Sequence, residues 1–256
     1  MLEQILEVAA LVRRSDRILF ITGAGLSADS GLPTYRGIGG LYDDNHTEDE
    51  IPIELALSGE MLQQQPELTW KYLLQVESSC RGAGHNRGHE LIAKLQKLKP
   101  DSWVLTQNID GFHRTAGSEQ VIEIHGRVGE LYCEHCHHWE QVQDYSHING
   151  VPYCPCCHNV LRPNVVLFGE MLPEKEVAIL HREMLRGFDL VFSIGTTSVF
   201  PYISQPVLQA RNWGAKSVEI NPGFTEVSTF VNYKLSMGAA DALGKIWDAF
   251  TTETTV

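Results

Sequence analysis

The sequence predicts a doubly wound α/β fold, in which a mostly parallel sheet is covered by helices on both faces. Six short runs rich in β-branched and aromatic residues recur along its 256 residues, and segments with helical spacing lie between most of them. Strands that alternate with helices form parallel sheets, because each parallel connection needs a crossover that a helix supplies. Two segments interrupt this alternation, and the second holds five of the six cysteines. We therefore expect one α/β unit with two insertions.

The chain opens with a helix, because the apolar residues between Leu2 and Val12 fall on one helical face. The six predicted strands follow at residues 17–22, 102–107, 121–124, 190–194, 217–220 and 233–236. Two further helices are predicted at residues 89–98 and 174–185 from their helical spacing. The carboxyl ends of such strands are where ligands bind in sheets of this kind.

The domain boundaries follow the two insertions. Residues 1–36, 76–129 and 163–256 are expected to form the α/β part. Residues 37–75 hold an acidic loop with glycines and then amphipathic helical stretches, and residues 130–162 hold the cysteines. The sequence contains no internal repeat and no low-complexity linker, so the insertions are expected to belong to one domain over residues 1–256.

The charge and hydropathy of the sequence limit which partners and which cellular location we expect. The formal net charge is −12 and no cluster of Lys and Arg stands out, so nucleic acid and anionic membranes are not expected as direct partners. A lysine-bearing protein segment suits an acidic surface better. No apolar run approaches the roughly 20 residues that span a bilayer, and the N-terminus is a poor signal peptide. We expect a cytoplasmic protein, and the sequence carries no signal for an oligomeric state.

The cysteines predict a metal site. Cys133-x-x-Cys136 and Cys154-x-x-Cys157 are separated by 17 residues, a spacing typical of a zinc ribbon in which each pair presents two thiolates to one tetrahedral ion. Four protein ligands leave no position for a catalytic water, so the zinc would be structural. Buried structural thiols are the alternative. Cys156 is spare, and a mixed Cys/His site stays open because four histidines lie nearby: His135, His137, His138 and His158.

A glycine turn follows the first predicted strand. Gly23 and Gly25 allow a tight turn and can bring backbone amides close to a pyrophosphate. The third glycine position of the usual dinucleotide pattern holds Ala28, so an ordinary strand-to-helix turn is the alternative. A conventional dehydrogenase is poorly supported, because no acidic residue stands about 20 positions further on in a βαβ unit.

Further motifs accompany this turn in one order. They are GAGLSADSGLPTYRG at 23–37, TQNIDGFHRTAG at 106–117, EIHGRV at 123–128, the two cysteine pairs, RPNVVLFGE at 162–170, IGTTSVFP at 194–201 and EINP at 219–222. With these motifs the sequence resembles the sirtuins, the NAD-dependent protein deacylases, over nearly its whole length. The resemblance implies a compact core of the bacterial type: a Rossmann-like NAD-binding sheet, a small zinc-ribbon domain and a helical insertion with a cofactor loop.

The resemblance also implies residue roles. NAD is expected to contact Gly23, Ala24, Gly25, Ser27, Tyr35, Arg36, Gln107, Asn108, Ile109, Asp110, His125, Gly195, Thr196, Ser198, Asn221, Pro222, Ala239 and Ala240. The wall that holds the acyl-lysine peptide is expected to be Val165, Val166, Phe168 and Gly169. The stretch GTTSVFP is one residue shorter than usual, so the contacts of Thr196 and Ser198 could be shifted by one position.

The chemistry that the resemblance implies consumes NAD. The acyl oxygen attacks the anomeric carbon of the nicotinamide ribose, a ribose hydroxyl then attacks the imidate, and water releases free lysine and O-acyl-ADP-ribose. His125 is the expected base, since imidazole titrates near neutrality. Asn108 and Asp110 are expected to serve the nicotinamide pocket and the ribose.

One departure from the family pattern predicts which acyl groups are preferred. Relatives that favour succinyl or malonyl groups carry Tyr-x-x-Arg on the helix after the cofactor loop, where this chain has Leu73 and Val76. An apolar pair offers no charge to a distal carboxylate, so neutral acyl groups are favoured.

The alternatives to deacylation on the same fold are a protein ADP-ribosyltransferase, an NADase and a non-catalytic NAD-sensing module. His113, His89, Trp70 and Tyr72 are expected to pack rather than act.

Overall fold

The computed structural model describes residues 2–32 and 47–252. Its strands are β1 Ile18–Thr22, β2 Trp103–Thr106, β3 Val121–Glu123, β4 Gly126–Tyr132, β5 Trp139–Gln141, β6 Arg162–Val165, β7 Leu190–Ile194, β8 Lys216–Ile220 and β9 Tyr233–Leu235. Its helices are α1 Leu2–Arg14, α2 Ala24–Ser27, α3 Ile53–Ala56, α4 Gly59–Gln64, α5 Pro66–Cys80, α6 Arg87–Leu98, α7 Phe112–Thr115, α8 Glu174–Arg186, α9 Pro201–Gln209 and α10 Ala239–Thr252. Two short 3-10 helices lie at Ala28–Ser30 and Ala210–Trp213.

The main sheet has six strands in the order β3-β2-β1-β7-β8-β9, and every neighbouring pair in it is parallel. All six strands predicted from the sequence are present, each within one residue of its predicted ends. The chain moves outward from β1 to β3, then returns to the centre and moves outward the other way from β7 to β9. The connections therefore reverse between β1 and β7, which is the switch point of a doubly wound sheet.

Both faces of this sheet are covered, as the prediction requires. Along β1 the side chains alternate, so Phe20 faces a buried cluster built with α1, α6 and α10, while Ile21 faces a second cluster built with α8 and α9. All five residues of β1 are buried, which explains why this strand reads as a continuous apolar run in the sequence. Phe20 stacks on Phe192 of β7, with ring centroids 5.4 Å apart. The fold class predicted from the sequence is confirmed.

The two insertions share a third apolar cluster. Strands β5, β4 and β6 form a small antiparallel sheet beside helices α3 to α5. Trp70 of α5 is fully buried there, and its Nε1 donates a hydrogen bond to the carbonyl of Leu161 at 3.0 Å. Its ring lies 5.6 Å from that of Tyr145. The expected packing role of Trp70 is thus observed, and the same holds for Tyr72, which is also buried.

The predicted domain limits fall inside continuous elements. Helix α5 runs through the limit at residue 75 to end at Cys80, and β4 begins at Gly126, before the limit at 130. The division of the chain into parts stays a prediction. Within residues 2–32 and 47–252, no helix combines the length and the apolar composition that a membrane span requires.

Candidate active site

Two loops meet at the switch point of the main sheet. The amide of Gly25, after β1, donates to the carbonyl of Gly195, after β7, at 2.8 Å, and the amide of Gly23 donates to the Ile194 carbonyl at 3.1 Å. A Cβ atom on Gly25 would lie 2.7 Å from the Gly195 Cα, and one on Gly23 would lie 2.8 Å from the Gly195 oxygen. Gly195 itself has φ +59°. Glycine is therefore required here because the two loops touch, a reason that sequence reasoning missed.

A hydrogen-bonded chain of polar side chains lies beside these loops. Asn108 Nδ2 donates to the Gly23 carbonyl at 3.1 Å and to Ser27 Oγ at 3.0 Å. Ser27 Oγ in turn donates to Asp110 Oδ2 at 2.6 Å, and the Phe112 amide donates to Asp110 Oδ1 at 2.9 Å. Burial raises the pKa of the Asp110 carboxyl, and the hydrogen bond from Ser27 opposes that shift. Residues from the ends of β1 and β2 are thus held as one unit.

A second polar group joins the ends of β2, β7 and β8. Gln107 Nε2 donates to Thr196 Oγ1 at 2.6 Å, and Asn221 Nδ2 donates to the Thr196 carbonyl at 3.1 Å. The Ser198 amide donates to Thr196 Oγ1 at 3.1 Å. Ser198 is buried and has φ +57°, a conformation that is costly for a residue with a Cβ atom and is concentrated at functional sites. Thr196 is the centre of this group.

His125 lies just after β3, between the two loops and the substrate segment. Its Nδ1 is 3.1 Å from the Gln107 carbonyl oxygen, which can only accept, so Nδ1 carries the proton of the neutral ring. Its Nε2 is 2.7 Å from the Tyr202 hydroxyl. Burial lowers the pKa of His125, and the hydrogen bond to Gln107 opposes the shift. The imidazole is therefore neutral at physiological pH, as a base must be.

The predicted substrate segment runs directly past His125. The Val166 amide donates to the His125 carbonyl at 3.0 Å, and the Phe168 amide donates to the Leu57 carbonyl at 3.0 Å. Gly169 has φ +82°, so the chain turns away after Phe168. Leu73 and Val165 belong to the buried apolar cluster against which Val76, Ile109 and Phe168 pack. The segment thus has an apolar side toward this cluster and a backbone side toward His125.

A buried ion pair holds this segment. The Arg162 guanidinium contacts both carboxylate oxygens of Glu170, at 2.5 and 2.7 Å, and also donates to the Val165 carbonyl at 3.0 Å. Glu170 accepts a further hydrogen bond from the Leu167 amide at 2.8 Å. The Arg162 side chain is 6% exposed, so the pair is shielded from solvent on that side. A two-point ion pair of this kind fixes geometry as well as contributing energy.

The four predicted metal ligands converge. The sulfur atoms of Cys133, Cys136, Cys154 and Cys157 all lie within 4.8 Å of one another. Each pair lies in a tight turn that the backbone closes: the His137 amide donates to the Cys133 carbonyl at 3.0 Å, and the His158 amide donates to the Cys154 carbonyl at 2.9 Å. A tetrahedral ion with Zn–S bonds of about 2.3 Å fits between sulfurs at this spacing. The cysteines are positioned for one structural zinc.

The mixed Cys/His alternative finds no match in the described part of the chain. The potential metal cluster found there contains the four cysteines alone. Cys156 is exposed, and its sulfur lies 3.6 Å from His138 Nδ1, beside the cluster.

Comparisons with known proteins place these features in a family. A sequence profile of the Sir2 family matches residues 23–201. The chain is 53% identical over 242 residues to the NAD-dependent protein deacylase 2 of Pseudomonas aeruginosa, covering 93% of this chain and 94% of that protein. This chain belongs to the Sir2 family. The resemblance drawn from its motifs is confirmed.

Solved structures agree with this assignment. A Sir2 homologue in complex with NAD superposes with a TM-score of 0.85 at 31% identity, covering 96% of this chain and 94% of the other. A structure of Sir2 with a p53 peptide and NAD+ has a TM-score of 0.78 at 30% identity, covering 94% and 96%.

The Sir2 residues of this chain suit a dinucleotide. The loops after β1, β2, β7 and β8 bring Ser27, Asn108, Thr196 and Asn221 to the carboxyl edge of the sheet at its switch point, where such ligands bind in open α/β sheets. Hydroxyl and amide side chains at this place can pair with ribose and phosphate oxygens. The NAD contacts of individual residues stay predictions.

The other predicted NAD residues divide into four groups. Tyr35 and Arg36 lie outside the described residues. Ala239 and Ala240 begin α10, where the Ala240 amide donates to Asp29 Oδ2 at 2.8 Å. Pro222 is exposed beside Asn221. Ala24 and Ile109 are half-buried next to the polar groups described above.

Sequence reasoning missed one residue of the site. Tyr202 is the second residue of α9, and its hydroxyl is hydrogen-bonded to the expected base. Its only sequence signal is its place directly after Pro201 in the motif IGTTSVFP, which was already expected to approach the site. The expected packing role of His113 is observed, since its ring is buried and lies 2.9 Å from Thr22 Oγ1.

Proposed function

We propose that this Sir2 family chain is an NAD-dependent protein-lysine deacylase that releases nicotinamide, free lysine and O-acyl-ADP-ribose. The observation that carries the proposal is the position of His125. It is a neutral imidazole, oriented by Gln107, placed where the switch-point loops meet the segment of Val166 and Phe168. A base between a dinucleotide site and a peptide site is what transfer of an acyl group from lysine to a ribose requires.

NAD, when bound, supplies the anomeric carbon with nicotinamide as its leaving group and the ribose hydroxyls that receive the acyl group. The protein's own residues hold and orient the bound NAD. Asn108, Ser27 and Asp110 form a connected set, so a ribose that pairs with one of them is held by a unit that has already lost its side-chain freedom. His125 accepts the proton that leaves a ribose hydroxyl.

The peptide side of the site supports protein substrates. The segment from Val165 to Gly169 lies beside His125 and is fixed by the Arg162–Glu170 ion pair. The Sir2 structure with a p53 peptide supports a peptide as the second substrate. The expected absence of nucleic-acid and membrane partners and the cytoplasmic location stay predictions from the sequence.

We also propose that the acyl group is neutral. Leu73 is buried in the apolar cluster against which Val76 and Phe168 pack, so a distal carboxylate beside this pair would lose its water without meeting a cation from either side chain. Acetyl-lysine and longer aliphatic acyl-lysine peptides should therefore react faster than succinyl-lysine peptides of the same sequence.

Mass spectrometry of the complete reaction tests the function. NAD is incubated with acetyl-, longer acyl- and succinyl-lysine peptides, and the protein is compared with His125→Ala and with the control His181→Ala, an exposed residue of α8. We expect equal amounts of nicotinamide, free lysine peptide and O-acyl-ADP-ribose, lowered by about 10²- to 10⁴-fold in His125→Ala and unchanged in the control.

Other products would contradict the proposal. Nicotinamide released while the peptide keeps its acyl group would indicate an ADP-ribosyltransferase or an NADase. NAD binding without any turnover would indicate a sensing module.

A further inference from the structure

Tyr202 is tied to His125 by a short hydrogen bond that the function described above does not use. The tyrosine oxygen lies 2.7 Å from His125 Nε2, although the two residues are 77 positions apart in the chain. Its ring is stacked on Phe200, with centroids 5.5 Å apart and planes 12° apart, and both rings meet the His125 ring edge-on. Tyr202 therefore belongs to the immediate surroundings of the expected base.

The direction of this hydrogen bond follows from the other ring nitrogen. Nδ1 must donate to the Gln107 carbonyl, so Nε2 of the neutral ring has only a lone pair and must accept. The Tyr202 hydroxyl is then the donor. Burial raises the pKa of Tyr202 to about 12 and lowers the pKa of His125, so the tyrosine is protonated and the histidine is neutral at physiological pH.

This arrangement leaves His125 without a free lone pair. A proton from a substrate hydroxyl can reach Nε2 only through the tyrosine oxygen or after the hydrogen bond to Tyr202 breaks. The first route suits a tyrosine that is held in place, and Tyr202 is held. It stands in the first turn of α9, it packs against the second buried cluster of the main sheet, and it is stacked on Phe200.

We propose that Tyr202 relays the proton from the reacting ribose hydroxyl to His125. The proposal rests on the deacylase function above. In this step the ribose O–H bond breaks and its electron pair stays on the oxygen that attacks, while that proton forms a new O–H bond on Tyr202. The original tyrosine O–H bond breaks at the same time, and its proton forms the N–H bond at His125 Nε2. The tyrosine is neutral before and after, and the imidazolium carries the charge.

The geometry and the raised pKa of Tyr202 both favour a concerted transfer, because its hydroxyl is already hydrogen-bonded to His125 Nε2 at 2.7 Å. A phenolate formed alone at this half-buried position would be costly, so we expect the tyrosine to release its proton only as it gains another. Within residues 2–32 and 47–252, the groups that hydrogen-bond to the His125 ring or meet it edge-on are neutral: the Gln107 carbonyl, the Tyr202 hydroxyl and the Phe200 ring. The positive charge that develops on His125 is thus stabilised by the two hydrogen bonds that already orient the ring.

Tyr202→Phe tests the relay, because it keeps the ring that packs and removes the hydroxyl. The matched control is Tyr153→Phe, an exposed tyrosine between the cysteine pairs. Two rates are compared: the exchange of labelled nicotinamide into NAD with an acetyl-lysine peptide, which reports bond breaking before the base acts, and the formation of free lysine peptide.

We expect Tyr202→Phe to slow the formation of free lysine peptide about 10- to 100-fold. This loss in rate is smaller than the loss expected for His125→Ala, because His125 remains and water can partly replace the tyrosine hydroxyl. Nicotinamide exchange and the KM for NAD should stay within about twofold of the native protein, and Tyr153→Phe should match the native protein in both rates. A loss below tenfold, or an equal loss in the exchange reaction, overturns the relay.

Nitrogen NMR of the NAD-free protein gives a second readout that does not depend on activity. In the native protein Nδ1 should show the resonance of a protonated nitrogen, and Nε2 that of an unprotonated nitrogen that accepts a hydrogen bond. In Tyr202→Phe the Nε2 resonance should move toward the position of a free acceptor, while Nδ1 stays unchanged. An unchanged Nε2 resonance overturns the hydrogen bond on which the relay depends.

The two proposals fail in different ways. If the native protein forms free lysine peptide, His125→Ala does not, and Tyr202→Phe equals the native protein, the relay alone is wrong. If the native protein forms no free lysine peptide, the deacylase function is wrong and the relay falls with it, whatever the NMR experiment shows of the hydrogen bond.

Discussion

The main sheet and the cysteine region are ordered by different forces. The six-stranded sheet is buried on both faces by helices, and its central strand β1 has no exposed residue. In the part of the chain that the structure describes, the buried cluster at the thiols consists of Cys133, Cys154 and Leu161. The turns that carry the thiols have too small a core to order themselves by burial, and small modules of this kind depend on a metal. One chain thus holds a region that burial stabilises and a region that a metal stabilises.

Loss of a metal ligand should have the largest effect. Cys133→Ser removes a buried ligand from the cluster, and the free energy of a structural zinc site is about 10–16 kcal/mol. We expect the zinc content, measured by mass spectrometry of the native protein, to fall from one ion per chain to nearly none. Circular dichroism should still show the main sheet, with losses confined to the cysteine region and to the cluster of Trp70.

Cys156→Ser is the matched control for that change. Its sulfur stands outside the four-cysteine cluster, so this variant should keep one zinc per chain. Loss of zinc from Cys156→Ser would mean that the ligand set is mixed. Loss of the whole circular dichroism signal in Cys133→Ser would mean that the two regions are not stabilised separately.

A substitution at the switch point should act on the sheet and leave the zinc in place. In Gly195→Ala the new Cβ would lie 2.5 Å from the Leu26 nitrogen and 2.6 Å from the Gly25 carbonyl carbon, so the two loops must separate. Gly214→Ala is the control: it has φ +72°, against +59° at Gly195, but a Cβ there meets no atom within 4 Å. Both variants carry the cost of a left-handed backbone, and only one carries the clash.

Urea unfolding measures that difference. We expect the free energy of unfolding to fall by about 1–3 kcal/mol more in Gly195→Ala than in Gly214→Ala, with one zinc per chain in both variants. Equal losses would show that the loops have room to move apart, and that their contact does not position the site.

The same comparison explains what the sequence could predict. The strands of the main sheet were found because buried strands leave runs of apolar residues, and the metal site was found because two Cys-x-x-Cys pairs carry their own spacing. Both signals are local. His125, Asn108 and Asp110 were found through family motifs, and the structure brings Asn108 and Asp110 together through Ser27.

What escaped prediction depends on contacts between distant residues. Tyr202 meets His125 across 77 positions, and the Asp29 carboxylate meets the Ala240 amide across 211. Gly25 was interpreted through the phosphates that a dinucleotide carries, whereas its amide donates to Gly195. Neither periodicity nor motif spacing encodes such pairs, because they arise when the ends of separate strands meet at one edge of the sheet.

The pH dependence of deacylation should show the smallest effect. Burial lowers the pKa of His125, with the Gln107 hydrogen bond opposing the shift, and the base works only while its imidazole is neutral. The rate should therefore fall as the pH drops through a midpoint below about 6.5, the ordinary value for histidine, and stay nearly level from there to about pH 8. Measuring kcat from about pH 5 to about pH 8 for an acetyl-lysine peptide tests this. A midpoint at or above the ordinary value would mean that His125 is solvated or faces a negative charge during the reaction. In that case the burial that lowers the pKa of His125 at the edge of the main sheet would not shield the working base.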